Sequence, residues 1–95
     1  MEPDGRLSFL GRPLPAAFEL LVITLAPGRV RAFEPAEWRD GIVVVERGAV
    51  ELEASGGDRA RFDRGAVMSL AGLPLCALRN DGRDTAVLAV VRRRS

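Results

Sequence analysis

Histidine, tyrosine and lysine are absent from this chain of 95 residues, and cysteine occurs once. Without histidine there is no imidazole metal site and no Ser-His or Cys-His nucleophile. There is also no side chain that ordinarily titrates near neutrality. One thiol, Cys76, excludes an intrachain disulfide and a two-cysteine metal site, and it fits a reducing compartment. All 14 basic residues are arginine, a pattern of GC-rich coding rather than evidence for phosphate binding. They face 13 acidic residues, for a net charge of +1. That balance argues against nucleic acid as the main partner. The longest apolar stretch, residues 14–27, contains Glu19 and is shorter than the ~20 residues needed to span a bilayer. The N-terminal MEPDGRL is acidic and lacks the apolar run of a leader. A soluble cytoplasmic protein with no membrane partner is expected.

What the chain does have is punctuation: ten glycines and six prolines at short intervals. Between them lie short runs rich in Val, Leu, Ile and Phe, without a helical period, and no internal repeat is evident. The apolar fraction of 47 % is that of a globular protein. Regular short apolar runs separated by turn signals predict an all-β sandwich or barrel. The predicted strands are Arg6–Leu10, Phe18–Ala26, Val30–Glu34, Ile42–Glu46, Ala49–Ala54, Arg59–Asp63, Val67–Leu70, Leu75–Asn80 and Thr85–Arg92. PAEWRDG, residues 35–41, reads as an irregular connection. The organisation expected is a single domain. Residues 1–17 form an N-terminal strand and irregular arm, 18–92 the barrel core, and 93–95 a basic, solvated tail.

Alternation assigns a register to one hairpin. Val50, Leu52 and Ala54 share one strand face, and Ala60 and Phe62 share one face of the next. Opposed side chains lie on the same face. Leu52 is therefore set opposite Phe62, Ala54 opposite Ala60, and Glu53 against Arg61. That leaves Gly56-Gly57-Asp58 as a three-residue loop.

From Gly28 to Asn80 the chain resembles a cupin domain. The residues carrying the likeness are Gly28, the turn Val45-Glu46-Arg47-Gly48, Gly65 and Asn80. The family's proline–glycine corner is replaced here by Ala71-Gly72-Leu73-Pro74. The resemblance implies a small double-sheet β-barrel of jelly-roll type, often dimeric. It also fixes where the family's metal ligands would fall. The H-x-H pair lands on Glu34 and Ala36, or on Pro35 and Glu37. The glutamate ligand lands on Gly41 and the last histidine on Cys76. None of the usual ligands is kept, so no metal and no cofactor is expected.

In a barrel, alternation points Gly41, Val43, Val45, Val50, Leu52, Cys76 and Leu78 inward. That interior is apolar and small. It suits a small apolar or weakly polar ligand, or a core filled by its own side chains. The candidate binding residues are Glu34, Trp38, Val43, Val45, Leu52, Cys76 and Leu78. Glu34, placed at the barrel mouth, is the candidate acid/base, since enclosure among apolar groups raises a carboxyl pKa; the alternative is a carboxylate at a strand end that reaches water. Trp38 reads as a ligand wall, a lid or a subunit contact, and Cys76 as an inert buried thiol. Ile42 and Val44 point outward from a nearly all-apolar strand. They would form a sticky patch in water, so either the N-terminal strands or a second subunit covers them, and a homodimer is expected, with the Phe18–Ala26 strand contributing. Three functions fit these residues. One is a metal-free, non-catalytic binding or regulatory module for a small molecule or protein. The others are a cofactor-independent isomerase or cyclase using Glu34, and a structural dimerisation domain without ligand.

Overall fold

The computed structural model describes residues 8–38 and 41–94. Its elements are β1 (Phe18–Leu25), β2 (Val30–Ala32), α1 (Pro35–Trp38), β3 (Ile42–Arg47), β4 (Ala49–Ala54), β5 (Arg59–Asp63), β6 (Val67–Ser69), β7 (Leu75–Arg79) and β8 (Ala86–Arg93). Two four-stranded antiparallel sheets, ordered β1-β8-β3-β6 and β2-β7-β4-β5, face each other. Eight of the predicted strands are present. Of the ninth, Arg6 and Leu7 lie outside the described residues, and Ser8–Leu10 are not strand.

Period-two patterning explains the core. Val43 and Val45 of β3, Leu88 and Val90 of β8, and Ile23 and Leu25 of β1 face Val50, Leu52 and Leu78 of the opposite sheet in one buried cluster. Each such side chain, once fully buried, is worth about 1.5–3 kcal/mol. β3 is apolar on both faces; the inner one is buried in the core, and the outer one is covered at Val44 but open at Ile42, which is 46 % exposed. Val44, on its outer side, is 0 % exposed. The arm before β1 is tied to that outer face, where the Glu46 carboxylate accepts from Ser8 Oγ at 2.7 Å and Phe9 N at 2.9 Å.

The β4–β5 register departs from the prediction. Leu52 lies opposite Ala60, Val50 opposite Phe62 and Glu53 opposite Arg59. This is a shift of two residues, which leaves each side chain on its predicted face, so alternation cannot detect it. The loop is Ser55-Gly56-Gly57, closed by Ala54 N donating to Asp58 O at 2.7 Å. Gly57, with φ of 99°, takes the left-handed last position that a three-residue loop needs. The predicted loop puts Asp58 there, at a steric cost that glycine does not carry. Glu53 consequently pairs not with Arg61 but with Arg79 of β7, at 2.7 Å.

Cys76 is a second correction. Glu53 faces Ala77 while Ala54 faces Leu75, so Cys76 is the extra residue of a β-bulge. The bulge resets alternation. Leu75 packs against the core, and Cys76 is exposed, its Sγ 3.6 Å from the carbonyl of Ala54.

Candidate functional site

One end of the barrel is closed by FEPAEW, residues 33–38. Pro35 occupies the first helical position, where its missing N–H costs nothing. Glu37 N donates to Glu34 O at 2.9 Å, forming a single helical turn where the sequence predicts an irregular connection. Trp38 then falls on the inner side. It is 1 % exposed, belongs to the core cluster, and lies against Phe33 with ring centroids 5.6 Å apart. It is the lid over the barrel mouth.

A charged layer fastens this lid. Arg31, on the inner face of β2, donates from Nη2 to Glu37 Oε2 at 2.6 Å. Arg92, at the end of β8, donates from Nε to Glu19 Oε2 at 2.8 Å and from Nη1 to the Glu37 carbonyl. The first pair is a half-made fork: Arg31 Nε and Glu37 Oε1 are buried without partners, as is Trp38 Nε1. A bidentate pair would have joined the first two.

Gly41 follows directly, its N donating to Trp38 O at 2.8 Å. A Cβ here would lie 2.8 Å from that same carbonyl and 2.9 Å from Val90 Cγ1. This is the position at which the resemblance locates a glutamate ligand, and any side chain is excluded from it. The other corresponding positions fare no better. Glu34 and Cys76 are both exposed. Among the described residues no three His, Cys, Asp or Glu side chains gather. The residues present do not fit the family's metal, and no step through one is derived.

The predicted binding residues separate into three groups. Val43, Val45, Leu52 and Leu78 do point inward, but they are 0–5 % exposed in a filled core. Trp38 plugs that core from above. Cys76 was expected inside the barrel and stands in solvent instead, and Glu34, expected at the mouth or at a strand end in water, is in solvent. Glu34 precedes the helical turn, so its backbone closes the lid while its side chain lacks the apolar enclosure that an internal acid/base requires.

The space available at the mouth lies beside the lid. A cleft of about 420 Å³ is lined by Phe33, Pro35 and the loop Leu70–Pro74. Its walls are mainly apolar, and Leu73 is 49 % exposed. The sequence signal for it was present in AGLPL, an apolar stretch at a corner where water-facing residues are usual.

No family model matches the sequence, and comparison with curated proteins finds no match. Solved structures do match in shape. The Cupin_2 domain of an XRE family transcriptional regulator from Enterobacter cloacae superposes with a TM-score of 0.66, 24 % identity and 83 % of each chain covered. A Cupin 2 conserved barrel domain protein from Salinispora arenicola gives 0.68 and 24 %, covering 88 % of this chain and 71 % of that one. The fold is that of a cupin. The Cnp3 cupin domain of Schizosaccharomyces pombe agrees at 0.64 and 14 % identity, covering 88 % of this chain and 57 % of its own. Among the described residues no helix is long and apolar enough to cross a membrane.

Proposed function

We propose that this cupin is a non-catalytic binding module that takes a small apolar or weakly polar molecule in the cleft beside its lid and works as a homodimer. The observation that carries the reading is the exchange of an interior site for an exterior one. Trp38 and the valines fill the barrel, while Phe33, Pro35 and the Leu70–Pro74 loop leave an apolar cleft of about 420 Å³ open. That volume lies in the range of small-molecule sites. The occurrence of the same fold as a domain of a transcriptional regulator supports a sensing role. An isomerase or cyclase reading centred on Glu34 gains no support from a carboxylate in open solvent.

The dimer is supported by the outer face of the β1-β8-β3-β6 sheet. Val22, Ala89, Val44 and Val67 pair in sequence across all four strands, and Leu20, Val91 and Ile42 form the row beside them. Val22, Ile42 and Val67 are 46 %, 46 % and 50 % exposed. A second copy laid on this face would cover them; a stable dimer buries roughly 800 Å² per partner.

Native mass spectrometry of protein purified from its own host tests both parts. The expected result is a dimer carrying a non-covalent small molecule, which Phe33→Ala and Leu73→Ser release. Val22→Glu with Ile42→Glu should yield monomer. A wild-type monomer at micromolar concentration removes the dimer. Unliganded protein that gains no thermal stability from any member of an apolar compound library removes the binding reading.

A further inference from the structure

The opposite end of the barrel carries a second cleft of different chemistry. Two turns there share a pentapeptide pattern that the sequence reading passed over: Glu46-Arg47-Gly48-Ala49-Val50 and Asp63-Arg64-Gly65-Ala66-Val67. In both, the glycine reverses the chain at positive φ, 68° for Gly48 and 95° for Gly65. Each turn thus carries an arginine immediately before its reversal. Together with the loop leading into β8 they enclose a cleft of about 580 Å³ lined by Arg47, Gly48, Arg64, Asp84, Thr85 and Val87.

The acidic member of each pentapeptide is engaged elsewhere. Glu46 accepts from Ser8 and Phe9 of the arm, and Asp63 accepts from Arg61 Nε at 3.0 Å. The residues lining the cleft thus include two arginines and a single acidic residue, Asp84. The Arg47 guanidinium has no hydrogen-bond or ion-pair partner among the described residues. Arg64 lines the same cleft and is itself engaged by a partner; a guanidinium carries five N–H donors. Thr85 adds a hydroxyl. The loop bearing Asp84 and Thr85 is pinned by Asn80, whose Nδ2 donates to Asp84 O at 2.8 Å and whose Oδ1 accepts from Gly82 N at 3.0 Å.

We propose that this cleft binds a small molecule through an oxyanion, a phosphate or carboxylate group, held between Arg47 and Arg64. Guanidinium forks match both anions in shape and charge. The volume leaves room for a modest organic body beyond the anionic group. The cleft shares no lining residue with the mouth cleft.

The test is an NMR amide titration of the full chain with inorganic phosphate and with succinate, each against sodium chloride at matched ionic strength. Saturable shifts are expected at Gly48, Gly65 and Thr85 with at least one of the two anions, and the responding anion identifies the group recognised. Arg47→Gln and Arg64→Gln should each weaken binding about tenfold. Asp84→Asn should strengthen it, because a repelling carboxylate is removed while the backbone carbonyl held by Asn80 is untouched. Opposite signs from neighbouring substitutions separate a site from general loosening of the fold. Shifts that chloride reproduces, or affinity unchanged in the Arg47→Gln/Arg64→Gln double variant, overturn the proposal.

Discussion

Arg92 of β8 stands directly opposite Glu19 of β1, donates to its carboxylate at 2.8 Å, and with the same guanidinium holds the backbone carbonyl of Glu37. One side chain thus fastens the lid turn to the β1-β8-β3-β6 sheet, while Arg31 fastens it to the other. Arg92→Gln should cost about 1–3 kcal/mol, because groups placed to receive a charged donor lose it. Denaturant unfolding measures the cost, and a red shift of Trp38 emission reports the loosened lid. Unchanged stability and emission would mean that Trp38 packing alone holds the mouth shut.

Trp38→Ala should be far more damaging, by about 3–5 kcal/mol. Domains of this size are stable by roughly 5–15 kcal/mol, so the variant sits near the edge of folding. Trp38→Phe should be milder, since it keeps a ring against Phe33 and removes an indole N–H that has no partner. Urea midpoints for the two variants give the order, and an equal loss in both would contradict the plug.

Two glycines should respond differently to alanine. At Gly48, φ is 68° and a Cβ would lie 2.8 Å from the backbone carbonyl of Thr85, which cannot move aside cheaply. At Gly57, φ is 99° but the space is open. Gly57→Ala should cost about 1–2 kcal/mol, the left-handed backbone penalty alone. Gly48→Ala should exceed it and also displace the Arg47 turn. Thermal unfolding in which the two variants lose equal stability would contradict the clash.

Glu53 and Arg79 give a signature in pH. The hydrogen bond from Arg79 holds the Glu53 carboxyl below its ordinary value of 4.5; partial desolvation opposes this, and the charges of Arg79 and Arg59 reinforce it. A depressed folded-state pKa contributes stability that is present above the unfolded value and is lost as pH falls through the folded one. The pair lies near the surface, so the contribution is small. A carboxyl carbon-13 titration should find Glu53 among the last glutamates to protonate. Arg79→Gln should return it to the ordinary range.

The strand boundaries and the inner faces of β3, β4 and β8 were legible because period-two alternation is a local property. Three features were not. The β4–β5 register moved by two, a change that leaves alternation intact and is decided by which glycine reaches the left-handed position. Cys76 turned outward because a bulge between β4 and β7 inserts one residue into the count, and only the partner strand reveals it. Analogy with a ligand position sets Glu34 at the barrel mouth, and the sequence leaves open a strand end that reaches water. The helical turn that Pro35 starts instead sends Trp38 inward and leaves Glu34 in water. In each case the deciding partner is remote in sequence or is a backbone geometry that composition does not encode.

The strand order also sets an order of events. β8 is the last of the described strands, yet it lies between β1 and β3, with Phe18 paired to Arg93 and Ile42 to Val91. During synthesis β1 and β3 emerge with open edges and no strand to join them. That sheet cannot close until residues 86–93 have left the ribosome. Pairing across such separations is slow, because loop-closure entropy comes due before the contacts that offset it. Until then the apolar Val22 and Ile42 rows border unpaired backbone, the arrangement most open to pairing with another chain. Nascent chains halted before Ala86 are therefore expected to be the aggregation-prone species of this protein.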